Sequence, residues 1–408
     1  MKTLYTEIKN LITMEGAAKK KGRHVGEEDF GLIRDGAFLV SEEGKIEWTG
    51  PASSAPTKDV RVVALKAQTV LPAFIECHTH SIFAGQRFQE FEEIIQGVSY
   101  QEISKKGGGI RLTMKATREA SEEELKSLLQ KRVTEFRRQG VSTVEVKTGY
   151  GLSLKEELRL LRVIQSLGDP FVMPTFLGPH GSSPEHENLE SYLKELMEKA
   201  LPQVAAEKLA ARADIFVEKG FFTKEQAHRY FQAARDLGLR LSVHAEQLSH
   251  SGGIQEAVAF QAASVDHCVN ASAEDLRQLA ASETTAVLLP SADFYLNIGY
   301  PPARLMIDQG VRVALSTDFN PGSSPSQSLE LCSLLARVMM KMTLPEIFSA
   351  WTVGAAHVLG VEERQGSLQP GKQADFSVWD KSWNAFFYDF DKNRPKDLYL
   401  LGKRVAFL

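Results

Sequence analysis

Cysteine is scarce in this chain: three residues in 408, at positions 77, 268 and 332, too far apart for any paired spacing. That excludes a disulfide-stapled scaffold and makes a reducing cytoplasm the expected compartment. Long apolar runs are missing too. No tract reaches the roughly 18 consecutive apolar residues of a membrane helix, and the opening MKTLYTEIKNLITMEG lacks the continuous apolar stretch of a secretory signal. Nor is there an excess of one charge: 48 Lys and Arg against 52 Asp and Glu leave a net charge of −4, no footprint for nucleic acid. The one basic run, KKKGRH at 19–24, sits between polar and glycine residues and reads as a solvated loop. No fixed-period repeat or low-complexity tract occurs, which removes solenoids and propellers. The expected partner is a small molecule, with neither nucleic acid nor membrane.

What is present changes grammar twice. Up to about residue 65, and again after 365, the chain reads as short strands with turn signals, as in AFLVSEEGKIEWTG and GSLQPGKQADFSVWD. Residues 1–65 and 366–408 are therefore read as one small β domain built from both ends. Residues 66–365 have another rhythm, in which short runs of β-branched and aromatic residues alternate with longer amphipathic stretches. The runs are TVLPAFIECH (69–78), VSTVEVK (141–147), FVMPTFL (171–177), ADIFVE (213–218), LRLSVH (239–244), ASVDH (263–267), TAVLLP (285–290) and VRVALSTD (311–318). Between them, Leu154, Leu158, Leu161 and Ile164 recur at helical spacing behind a Ser153 cap. Eight such strands alternating with helices predict an α/β protein with a (β/α)8 barrel of the TIM type. An open doubly wound sheet is the alternative; no G-x-G-x-x-G follows any run, which counts against its dinucleotide-binding version.

In a barrel the active site lies at the C-terminal ends of the strands. The first run ends in His78-Thr-His80, the fifth in His244, the sixth in Asp266-His267 and the eighth in Asp318. Residues i and i+2 of a strand point the same way, so His78 and His80 converge on one point. Alone, such a pair is equally consistent with polar residues at a solvent boundary. With His244 and Asp318 delivered to the same rim, the four make a nitrogen and oxygen ligand set suited to one zinc or iron ion. Cys77 and Cys268 turn away from their neighbouring histidines and read as small buried hydrophobes.

The chain carries the motifs CHTHSIFAGQR, GGGIRLTMKATREAS, VEVKTGYGL, FLGPH, HAEQLSHSGG, SVDH and STDFNPGSSPSQS, and in them it resembles the amidohydrolase superfamily. Within it, the likeness is to a branch that opens a cyclic amide bearing an anionic arm in histidine degradation. The resemblance implies a barrel joined to a β-sandwich made by both termini, a single metal on His78, His80, His244 and Asp318, and possible pairing as a homodimer. It implies Asp318 as the group that moves the proton and His267 as a stabiliser of the developing oxyanion. Arg87 is implied as the clamp for the substrate carboxylate, with Tyr150, His180 and Gln247 as further substrate contacts and Asn320, Gly322 and Ser323 holding product groups. Some members place a glutamate where this chain has Gln247, preceded by Glu246; an amide cannot take a proton from water, so proton transfer falls to Asp318. The expected position of Glu218 is behind a ligand histidine, and GGGI at 107–110 is expected to be a loop able to close over the ligand. A superfamily member acting on another ring, such as a nucleobase deaminase or a cyclic ureide hydrolase, is the rival and has no need of Arg87.

Overall fold

A computed structural model describes residues 1–98, 108–389 and 394–406. The chain opens with β1 (Lys2–Ile12), β2 (Leu32–Val40), β3 (Ile46–Pro51) and β4 (Val60–Pro72). Eleven further strands follow: β5 (Phe74–Glu76), β6 (Val141–Lys147), β7 (Val172–Thr175), β8 (Arg212–Val217), β9 (Arg240–Ala245), β10 (Ser264–His267), β11 (Thr285–Leu288), β12 (Val313–Leu315), β13 (Phe376–Trp379), β14 (Asp397–Leu400) and β15 (Lys403–Arg404).

The first four and last three strands form one sheet in the order β15-β14-β13-β4-β1-β2-β3. Aromatic side chains from both ends hold it together. Tyr5 meets Phe376 edge-on at 5.1 Å, Phe38 meets Phe376 at 4.9 Å, and the buried Tyr5 hydroxyl donates to the Gly402 carbonyl at 2.6 Å. Neither end alone buries these rings, each of which contributes about 1.5–3 kcal/mol when removed from water. Bulges at Glu7 in β1 and Lys66 in β4 put both residues at positive φ, 57° and 50°, creasing the sheet along one line.

β5, β6 and β7 form a parallel three-stranded sheet, and β8 to β12 form a parallel five-stranded sheet in chain order. Isolated parallel bridges lie at both seams between them, Phe176 to Ala213 and Thr79 to Phe319. Helices separate the strands. Ser153 does cap one of them, Leu154–Gln165, by accepting the Glu156 N–H. Residues on both faces of β6 and β8 are buried, as expected of parallel strands under a helical layer.

The expected first barrel strand, 69–78, is divided. Thr69 to Pro72 pair with Trp379 to Phe376 in the terminal sheet, so the position 66 at which the barrel is expected to begin falls inside β4. Pro72 has no N–H to extend that ladder. Ala73 still donates to Asp375 beside β13, and the change of partner comes at Phe74, which donates to Gly140 at the foot of β6. Among the described residues no helix is long and apolar enough to cross a membrane.

Candidate active site

Beyond β5 the backbone stays extended as His80 donates its N–H to Phe319, carrying His78 and His80 to the same end of the parallel sheets as the ends of β9, β10 and β12. Both are buried, 0% and 3% exposed. His78 Nδ1 lies 2.7 Å from Asp266 Oδ2, and His244 Nδ1 lies 3.1 Å from Asp214 Oδ1. A carboxylate only accepts, so each Nδ1 carries the proton and each Nε2 presents a lone pair forward.

Those forward atoms converge. His80 Nε2 stands 3.3 Å from His244 Nε2, and Asp318 Oδ1 stands 3.4 Å from both His78 Nε2 and His80 Nε2. Two donors held about 2.1 Å from a common tetrahedral centre are about 3.4 Å apart. The spacing thus fits a cation rather than direct hydrogen bonding, and His78 Nε2 and Asp318 Oδ1 have no hydrogen-bond partner although buried. His78, His80 and Asp318 form one triad able to hold a metal, and His78, His244 and His267 form an overlapping one.

Electrostatics keep three of the four donors in the form a cation needs; His244 differs, since burial pushes its pKa down but the Asp214 carboxylate outweighs it and raises it. Burial, then Lys147 and His244, holds His78 well below the ordinary imidazole pKa; burial and His244 do the same to His80. Burial resists the Asp318 charge, yet His78, His267 and His244 outweigh it and lower its pKa. The backbone contributes the aim: His267 at φ 81°, the last residue of β10, and Glu246 at φ 53° and Asp318 at φ 52°, just past β9 and β12, are all left-handed non-glycine residues. Such strain gathers where side chains must be turned against the run of a strand.

The other expected residues fall into two groups on this rim. His180 stacks on His80 at 4.9 Å with Nδ1 donating to the Gly149 carbonyl at 3.0 Å, and the Tyr150 ring lies 5.9 Å from His80. Gly149, at φ 115°, has no room for a Cβ against the His180 ring. Arg87 is buried with Nε donating to Thr113 Oγ1 at 2.7 Å, and a Cβ on Gly322 would strike its guanidinium. The loops after His80 and Asp318 therefore meet at Arg87. Gln247 is buried, its carbonyl held by Asn270 Nδ2 at 2.9 Å.

Some expectations need correction. The Gly322 N–H, expected to hold a product group, donates to Asn320 Oδ1 at 2.8 Å, as does the Ser323 N–H at 2.7 Å, while Asn320 Nδ2 donates to the Asp318 carbonyl. The three form a closed turn. Asp266 turns its carboxylate across the strands to His78 Nδ1. Glu218 is not behind a histidine: it accepts the Leu248 N–H at 2.8 Å and ties down the loop after β9; Asp214, four residues earlier, takes the place expected for it. Gly107 of GGGI lies outside the described residues, whereas Gly109 donates to Glu90 at 2.7 Å and starts helix Ile110–Glu119. Glu157 was missed altogether. It accepts N–H bonds from Gly149, Gly151 and Leu152 at 2.7–2.9 Å and shapes the loop that carries Tyr150. The available signal for Asp214 was a carboxylate inside an otherwise apolar strand.

Residues 69–405 match the model of the Amidohydrolase family, the class to which this fold and His/Asp site point. Curated relatives named imidazolonepropionase are 48% identical in Bdellovibrio bacteriovorus, over 99% of this chain and 97% of that protein, and 42% identical in Shewanella baltica, over 92% and 94%. The chain belongs to the amidohydrolase family and, within it, to the imidazolonepropionases. Among solved structures, an adenosine deaminase from Xanthomonas campestris with bound zinc superposes with a TM-score of 0.71 at 15% identity, covering 98% of this chain and 92% of that one. E. coli guanine deaminase gives 0.69 at 14%, covering 100% and 99%. At these identities the likeness is one of fold.

Proposed function

We propose that this chain hydrolyses 4-imidazolone-5-propanoate to N-formimino-L-glutamate, the ring-opening step of histidine degradation. The observation that carries the proposal is the convergence of three imidazole Nε2 atoms and Asp318 Oδ1 at 3.3–3.4 Å spacings. It is joined by the names of relatives that share 40–48% of their residues with this chain. In this reading the two parallel sheets close at their bridged seams into a (β/α)8 barrel, and the creased terminal sheet folds into a small β-sandwich beside it.

His78, His80, His244 and Asp318 would hold one zinc or iron ion. Such an ion supplies Lewis-acid polarisation of a carbonyl and acidifies water. Asp318, ionised at the rim, takes the proton of the attacking water on the oxygen turned away from His78 and His80. Water adds to the ring carbonyl carbon, the carbon–nitrogen bond breaks, and Asp318 returns the proton to the leaving nitrogen. His267, pushed down to about 4 by burial, stays neutral and donates an N–H to the oxygen that gains charge. Arg87 clamps the propanoate arm with its remaining guanidinium donors, Tyr150 and His180 line the ring beside His80, and Gln247 bonds the ring as donor or acceptor. Asn320, Gly322 and Ser323 brace the loop against Arg87; on product binding their mutual bonds are exchanged for bonds to its carboxylate.

Loss of the imidazolone chromophore, followed with and without chelator and with identification of the product, tests this. Turnover should stop on chelation and return on adding zinc or iron. Chelator-insensitive turnover, or a product other than N-formimino-L-glutamate, would reject it.

A further inference from the structure

Parallel strands covered on both faces ordinarily carry branched apolar side chains, yet β6, β8 and β10 place Glu145, Lys147, Asp214 and Asp266 in the interior, all at most 1% exposed. Lys147 is the hub. Its Nζ lies 2.7 Å from Asp214 Oδ2, 3.0 Å from Glu145 Oε2 and 3.6 Å from Asp266 Oδ2. Two of these carboxylates reach onward: the other oxygen of Asp214 lies 3.1 Å from His244 Nδ1, and Asp266 Oδ2 lies 2.7 Å from His78 Nδ1. One ammonium thus stands a single side chain behind the back nitrogens of two converging histidines, which come from β9 and from the far side of the structure beyond β5.

A ring held at Nδ1 by a carboxylate is fixed in tautomer and orientation, and a partner that orients a ligand influences metal affinity nearly as a ligand does. The carboxylates must themselves be fixed. Asp214 and Asp266 are negative, buried and close, so they repel in a medium that screens poorly. A shared cation offsets that repulsion, and the Lys147 ammonium lies within 3.6 Å of both. Arg212 is too far round the interior to serve: its Nε faces Glu145 at 3.6 Å and its Nη1 donates to the Val358 carbonyl at 2.5 Å.

We infer that Lys147 is a positioning residue: it anchors Asp214 and Asp266 together, sets the orientation of His244 and His78 through them, and so determines how tightly the site takes its metal ion. The inference rests on the metal reading given above. It also assigns Lys147 as an ammonium within a cage of three carboxylates.

The test is zinc affinity of the purified full chain, measured by competition with a chromogenic chelator, for wild type, Lys147→Met and the control Arg212→Met. The control removes a buried cation that touches neither Asp214 nor Asp266. Lys147→Met should weaken zinc binding by about 10–100-fold, and Arg212→Met, which reaches the cage only through Glu145, should lose less. Equal affinity of Lys147→Met and wild type, or an equal loss in Arg212→Met, overturns the inference. A wild type that binds no zinc or iron overturns the metal reading instead. Should Lys147→Met fail to fold, Lys147→Gln replaces it, keeping a donor of similar reach without the charge. Combining Lys147→Gln with Asp214→Asn adds a second measurement: the two losses should fall short of additive, and full additivity would count against a shared anchor.

Discussion

Asp318 stands out in the sequence as a carboxylate at the end of the eighth apolar run. The structure adds a left-handed backbone and an oxygen 3.4 Å from two imidazoles. Removing it takes away both a proposed ligand and the proton carrier, so Asp318→Ala should lower kcat by about 10²–10⁴-fold, checked by steady-state turnover with metal in excess. Arg87 acts on binding instead. A charge-assisted contact is worth about 1.5–3 kcal/mol, so Arg87→Ala should raise KM by roughly 10–100-fold with a smaller change in kcat. Unchanged KM would put the carboxylate elsewhere. At this scale His78, His80, His244 and Asp318 were legible because chemistry-bearing residues at the ends of buried strands are rare. Asp214 was not, since nothing local shows which carboxylate faces which imidazole across three strands.

Loops between strands and helices do the aiming, and carboxylates hold them. Glu246 accepts N–H bonds from Gly252 and Gly253 at 2.7 and 3.0 Å and from Ile254 at 3.1 Å, fixing the start of helix Gly253–Ala259. Glu246 itself is left-handed at φ 53°, so the chain turns at Gln247 instead of running on from β9. Glu157 does the same for the Gly149 to Leu152 loop, and burial pushes its pKa up to about 7 against the hydrogen bonds that lower it. Glu157→Gln keeps one acceptor but aims an amide N–H at an N–H donor of the loop. It should cost about 1–3 kcal/mol in urea unfolding at pH 7 and raise KM through Tyr150. A stability loss without any KM change would mean the loop does not shape the substrate site. Strand positions were legible from β-branched runs bounded by turns. The division of 69–78 between two sheets was not, because it depends on β13 arriving from 300 residues later to pair with β4.

For the whole molecule the charged interior has a pH signature. His267 ordinarily titrates at 6.5 and is pushed down to about 4 by burial. Between those values the unfolded chain binds a proton that the folded chain does not, so stability rises with pH across the window and falls as pH drops through it. In metal-stripped protein, urea stability should therefore decline from pH 6.5 towards pH 4, with His78, His80 and His180, all held low by burial, adding to the slope. His267→Asn should flatten the slope by one proton's worth, and an unchanged slope would show that His267 is not held neutral.

The sequence by itself determined the alternation of eight apolar runs with helices, the polar residues at their ends and the β character of both termini. These depend on local periodicity and residue chemistry. Only the tertiary structure decided that Asp266 serves His78 and Asp214 serves His244, that Glu218 ties down a loop, and that Lys147 sits between the two aspartates. Those choices follow from strand stagger and from the requirement that every buried charge find its partner across strands, which no single stretch of chain contains.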